Sequence, residues 1–145
     1  MERVDYVDTF IAVAEDCPAK TGTVPPAKGD DPSVSARTYA LIAGHPYEFT
    51  SGDVLFTVFA DRQGIPDEDR VHARLEFFAR SQPCLRSSQL GKRYGWGIHA
   101  DARGRLALYA VDGPEYAEFT SGRRSADSGA PITLTRAMRN SRARP

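Results

Sequence analysis

The sequence predicts an α+β fold: a four-stranded, mainly antiparallel sheet with its elements in the order β-ααα-β-β-α-β. Three observations carry this expectation. Thr9 to Glu15 (TFIAVAE) is β-rich and apolar on both faces, as a covered central strand should be. Tyr94 to Ala100 sets Tyr94, Trp96 and Ile98 against Gly95, Gly97 and His99, a period of two that marks a strand with one apolar face. Between these segments lie three stretches bounded by helix start and stop signals.

After the first strand, residues 18–32 hold four prolines and two glycines and read as a long loop. The first helix spans about Val34 to Ala43, with Ser33 as N-cap and Gly44 and Pro46 as the stop. The second begins at Thr50 and Ser51, where Thr50 and Asp53 have the spacing of a capping box, and ends at Gly64-Ile65-Pro66. Its apolar stripe is Val54, Leu55, Val58 and Phe59. The third opens at Pro66, with Asp67, Glu68 and Asp69 complementing the helix dipole, and places Val71, Leu75 and Phe78 on one face. Residues 101–104 form a hairpin turn, Leu106 to Val111 the return strand, and Asp112-Gly113-Pro114 starts a short helix to about Phe119. Residues 121–130 read as a flexible linker, Ile132 to Met138 as the last strand, and 140–145 as a frayed basic tail.

This order, with an enlarged first crossover, matches the split β-α-β topology of ferredoxin-like folds, in which the first and third strands lie parallel at the centre. In that arrangement the end of strand one and the start of strand two share an edge. Glu15, Asp16 and Cys17 then face Cys84, Arg86, Lys92 and Arg93. His99 is five residues into its strand, roughly 16 Å from that edge, which argues against a Cys84–His99 nucleophile–base pair.

A chain of 145 residues, 41% hydrophobic and 26% charged, is expected to fold as one globular domain with its own core. Its longest apolar runs are far shorter than the roughly twenty residues of a membrane helix. Its start (MERVDYVDTF) lacks the basic and apolar regions of a signal peptide. Two cysteines do not make a disulfide scaffold, so a soluble cytoplasmic protein with reduced thiols is expected. Net charge is zero but uneven: acids dominate the first third, whereas Arg123, Arg124, Arg136, Arg139, Arg142 and Arg144 face Asp127 alone after Ser121. A basic tail without a recognition module reads as a solvated end rather than as a nucleic-acid interface.

The passage from Phe77 to His99 (FFARSQPCLRSSQLGKRYGWGIH) is the densest in groups that bind or react. Cys84 beside Arg86, Lys92 and Arg93 is either a thiol activated by cations or a small residue filling space. Arg86, Ser87, Ser88, Lys92 and Arg93 suit an anion cradle, or they pair with Glu15, Asp16 and Glu76 as surface ions. No Gly-rich phosphate loop and no metal-ligand spacing accompanies them, so neither nucleotide, cofactor nor metal is implied.

On TFIAVAEDCP (9–18), PYEFTSGDVLF (46–56), QPCLRSSQLGKRYGWGIH (82–99), ALY (107–109) and AMR (137–139), the chain resembles a family of short, largely bacterial proteins known only as a domain of unknown function. That resemblance implies no activity, substrate or cofactor.

The leading functional expectation is a non-catalytic binding module. Its site is the edge formed by Asp16, Cys17, Cys84, Arg86, Lys92 and Arg93, and its ligand a small anion or an acidic partner segment. The alternatives are a thiol-dependent enzyme with Cys84 as catalytic nucleophile, and a structural subunit of a larger assembly.

Overall fold

The computed structural model describes residues 1–27, 29 and 31–141. Strand β1 is Thr9–Ala12, buried at every position. Helix α1 (Val34–Gly44) starts where the Ser33 hydroxyl accepts the Ala36 N–H. Helix α2 (Ser51–Gln63) has the expected reciprocal capping box between Thr50 and Asp53 and closes on Gly64 at φ 66°, a left-handed cap. A 3₁₀ turn, Asp67–Asp69, leads into α3 (Arg70–Ala79). The 82–93 passage contains a 3₁₀ turn at Leu85–Ser87 and the single-turn helix α4 (Gln89–Lys92). Pieces of three and four residues are too short to display a helical period. Strands β2 (Trp96–Ala100) and β3 (Leu106–Ala110), helix α5 (Pro114–Thr120) and strand β4 (Thr133–Arg136) follow.

The fold class is α+β with a four-stranded mixed sheet, in the order β3-β2-β1-β4. β1 runs antiparallel to β2 and parallel to β4, and β2 runs antiparallel to β3. The ferredoxin-like arrangement is therefore corrected: the third strand is an edge strand, and the central pair is β1 and β2. The reason lies in the 82–93 passage. Leu85 and Leu90 are fully buried, and the Ala14 N–H donates to the Gly91 carbonyl at 3.0 Å. These ties deliver the chain to the C-terminal end of β1, so β2 must run back along its flank. The hairpin then puts β3 outside, where Tyr47 N–H donates to Leu106 O and Leu106 N–H to Phe49 O, covering part of the edge.

One face of the sheet carries Ile11, Ile98 and Leu106 into the main core, with α1 against β3 and α4 against β2. The opposite face carries Phe10 and Ala12 beneath Phe119 of α5. Gly97 belongs to this second face. The Phe10 ring packs over it, which leaves no room for a side chain at Gly97.

Two expectations about packing change. Val71 and Leu75, read as the inward stripe of α3, are 79% and 69% exposed. Helix α3 docks on α2 through Phe77, whose ring lies 4.7 Å from Phe59 and 5.8 Å from Phe56, and through Arg74, which lies over Phe56 and Phe78. Periodicity located a stripe but not the side the layer below would cover. Trp96 packs against the main core as its strand face requires, but it is half-buried. Its cover is the 18–32 loop. Thr23 O accepts the indole N–H at 2.8 Å, Thr23 N–H donates to Tyr94 O, and Tyr39 lies 5.4 Å away. Among the described residues, no helix is long and apolar enough to cross a membrane.

Because Trp96 joins the core to this loop, Trp96→Ala should cost about 3 kcal/mol, the low end for aromatic truncation. Urea unfolding measures this; a change below about 1 kcal/mol would show that the loop packs without the indole.

Candidate functional site

Leu85 and Leu90 anchor their segment in the core and leave Cys84, Ser87, Ser88 and Gln89 along its outer side. Ser88 holds this shape by accepting the Leu90 N–H, and Cys84 O accepts the Ser87 N–H. Facing them are Val34 and Thr38 of α1, Leu55 of α2 and Phe77 of α3. The space between is a groove of about 350 Å³, within the size range of small-molecule sites. One polar group in its lining is anomalous: Gln89 Oε1 is buried and has no hydrogen-bond partner.

Cys84 is partly exposed at the groove, and its Sγ lies 3.1 Å from the Tyr6 hydroxyl. Burial, reinforced by the hydrogen bond to Cys84 and opposed by the Arg86 cation, pushes the Tyr6 phenol up to about 12. Tyr6 therefore stays protonated at neutral pH and can donate to the sulfur. On its other side Cys84 borders a cleft of about 560 Å³ that includes Glu2, Arg3 and Arg80. The N-terminal segment reaches this position because Arg74 pairs with both Glu2 (2.7 Å) and Asp53 (3.0 Å), while Gly52 N–H donates to Asp5 at 2.7 Å. A side chain at residue 52 would meet the Glu2 carboxylate, which would have to move aside.

The other expected site residues gather elsewhere. Asp16 accepts from the backbone N–H groups of Asn140 (3.0 Å) and Ser141 (3.1 Å). The Asn140 amide also donates to Lys92 O at 2.8 Å, and Arg93 Nε donates to Asn140 Oδ1 at 3.2 Å. Glu15 pairs with Arg139. Arg86 donates to Arg136 O at 2.6 Å, and Met138 N–H donates back to Arg86 O. Asp16, Lys92 and Arg93 thus meet at one edge, as the sequence suggested, but the chain's own 136–141 segment occupies it. Residues 140 and 141, read as a frayed end, form this clasp; Arg142 and Arg144 lie outside the described residues. Cys17 is buried, with its thiol donating to Ala19 O at 3.8 Å, and both cysteines are free. None of Asp16, Cys17, Arg86, Lys92 and Arg93 lines the groove at Cys84. The 121–130 stretch is tied by a bridge between Ser125 and Pro131 and by the buried Ala126.

A second polar cluster had no sequence signal beyond an isolated histidine. The Tyr47 hydroxyl lies 2.8 Å from His99 Nδ1 and 2.7 Å from the Tyr109 hydroxyl, while His99 stacks on Phe119 at 4.6 Å. Tyr47 sits at φ 59°, a left-handed conformation that costs a bulky residue on the order of 1–3 kcal/mol. Burial holds His99 below its ordinary value of 6.5; Arg124 acts in the same sense, and Asp101, Asp8 and Asp127 oppose it. His99 pairs with Tyr47 rather than with either thiol. Among the described residues no group of three His, Cys, Asp or Glu side chains is arranged to hold a metal ion.

Residues 1–143 match the family described as "Family of unknown function (DUF6157)", and the chain belongs to that family. No curated protein and no solved structure matches it.

Hydrogen bonds from Asn140, the largest cause, and from Ser141 hold the Asp16 carboxyl down at about 2. Its stabilising effect is present above the ordinary value of 3.8 and disappears as pH falls through about 2. Asp16→Asn, or removal of residues 140–145, should lower the melting temperature at pH 7 and flatten its dependence on pH in that acid window. An unchanged melting curve would show that the clasp contributes nothing. His99 has the same sense in a higher pH range. Its folded form favours the neutral ring, so stability is full above 6.5 and falls as pH drops below it. His99→Gln should reduce the loss of stability between neutrality and mildly acid pH; thermal melts over that range check this.

Proposed function

We propose that the protein is a cytoplasmic binding module that holds a small, largely apolar molecule bearing a hydrogen-bond donor in the groove beside Cys84. The observation that carries this reading is a groove of ligand size with Gln89 in its lining, whose Oε1 is buried and without a partner. A buried polar atom without a partner costs about 1–3 kcal/mol, and a ligand donor met by a turn of the Gln89 side chain into the groove recovers it. The apolar walls supply affinity and the few polar atoms set orientation. The two free thiols suit a reducing compartment. An anion held by Arg86 and Arg93 has less support, because both guanidinium groups are engaged within the chain.

The contact between Tyr6 and Cys84 favours a second reading, in which Cys84 acts as a nucleophile with Tyr6 donating to its thiolate. The two readings separate on one variant. Cys84→Ser should retain ligand binding if the groove is a binding site and abolish turnover if it is a thiol enzyme.

The test is a screen of small apolar amides and alcohols, monitored by backbone amide shifts. Hits should move residues 84–89 and residues of α1. Gln89→Met should weaken them about fivefold to tenfold, the equivalent of roughly 1–1.4 kcal/mol, while leaving the free protein as stable as before or slightly more so. Hits that bind equally well to Gln89→Met, or a screen in which residues 84–89 never move, would end the proposal.

A further inference from the structure

Residues 45–49, which join α1 to α2, lie along the outer edge of β3. Tyr47 N–H donates to Leu106 O at 2.7 Å, Leu106 N–H donates to Phe49 O at 2.9 Å, and Thr50 bridges to Arg105. None of residues 43–50 is fully buried, and a segment with so few buried contacts can open without global unfolding. The left-handed backbone at Tyr47 (φ 59°) favours release. Opposing it is the Tyr47 hydroxyl, tied to His99 Nδ1 at 2.8 Å and to the Tyr109 hydroxyl at 2.7 Å. We propose that this segment is an acid-released latch: protonation of His99 frees residues 45–49 from the edge of β3 while the rest of the sheet stays folded.

A neutral imidazole lets the cluster use both phenolic protons. Tyr109 O–H donates to Tyr47, and Tyr47 O–H donates to His99 Nδ1. An imidazolium carries a proton on each nitrogen, so Nδ1 ceases to accept. Tyr47 must then turn its proton towards Tyr109, whose own proton is left without an acceptor among the described residues.

The added charge is also badly placed. His99 stacks on Phe119 at 4.6 Å, and the Arg124 guanidinium lies 4.7 Å from the centre of the same ring. A second cation therefore arrives beside the first in a half-buried site, although Glu118 pairs with Arg124. Asp101 after β2, Asp8 before β1 and Asp127 in the 121–130 stretch favour the charged ring, but burial prevails and holds His99 below 6.5. Tyr47 covers the imidazole edge-on at 5.6 Å, so its departure opens the ring to water and restores the ordinary proton affinity. A released form that binds the proton more tightly than the closed form gains population as pH falls through 6.5.

The ends of the moving segment are defined. Gly44 closes α1 with open space where a side chain would stand, and the capping box of Thr50 and Asp53 fixes the start of α2. The latch is separate from Cys84 and Gln89 and stands whether or not the groove binds a ligand.

Amide hydrogen exchange of the full chain, followed by NMR from about pH 7.5 to 5, tests this. After correction for intrinsic rates, opening at the Tyr47 and Leu106 amides should increase below pH 6.5, by up to about tenfold per pH unit, the limit for one proton. The increase should level off where the His99 ring of the wild type becomes protonated, read from its own ring shifts. Ile98, in a central strand, should keep its protection. His99→Gln should make both amides insensitive to pH over this range. His45→Gln, which removes the imidazole paired with Glu48 on the segment itself, should leave the increase intact. Constant protection of Leu106 in the wild type, an equal loss at Ile98, an increase that persists in His99→Gln, or one that ends away from the titration of the His99 ring would overturn the inference.

Discussion

The anchoring of residues 84–93 is the constraint from which the rest of the structure follows. Leu85 and Leu90 are buried beneath the helical layer, and Gly91 O accepts the Ala14 N–H from the end of β1. Two buried leucines and one backbone hydrogen bond thereby fix where the chain re-enters the sheet. They decide that β2 lies antiparallel to β1, and so that β3 is an edge strand. They also hold Cys84 and Gln89 at the surface of the groove, and they present the Lys92 carbonyl to Asn140. Strand order, groove and C-terminal clasp all depend on one short passage.

The two faces of the sheet are built differently. Beneath the helical layer the core is broad and aliphatic, whereas the α5 face rests on Phe10, Ala12 and Phe119 with a rim of tyrosines. The thin face is where polar groups enter the structure. His99, Tyr47 and Tyr109 form one hydrogen-bonded group, held by a residue in an unfavourable backbone conformation. A neutral, half-buried imidazole is tolerable there because its ring stacks on Phe119 and its Nδ1 has a phenol partner. The strain at Tyr47 is offset by that network and by the hydrogen bond from Tyr47 N–H to Leu106 O, which also covers the edge of β3.

Charges are distributed by the same logic of local closure. The acids near the N-terminus and the arginines near the C-terminus, far apart in sequence, meet as Glu15 with Arg139 and as Asp16 with the backbone of 140 and 141. Glu2 and Asp53 converge on Arg74. These contacts bring both ends of the described chain onto the fold. Arg86 and Arg93 are likewise engaged within the chain, by Arg136 O and Asn140 Oδ1.

Local sequence determined the elements themselves. Ser33 and Thr50 mark helix starts because side-chain oxygens cap exposed N–H groups whatever lies around them. The alternation from Tyr94 to Ile98 marks β2 because a pleated strand shows alternate residues to the core. The convergence of Asp16 with Lys92 and Arg93 was legible for the same reason, since both segments lead to strand ends. Tertiary structure alone decided the rest. Strand order turned on two leucines whose burial no local period reveals. The exposure of Val71 and Leu75 depended on which side of α3 the aromatic rings of α2 would occupy. The pairing of Cys84 with Tyr6, and of His99 with Tyr47, joins residues 78 and 52 positions apart. Such contacts follow from where the packed layers bring side chains together, and the physics that sets them is the filling of space between elements, not the propensity of any one segment.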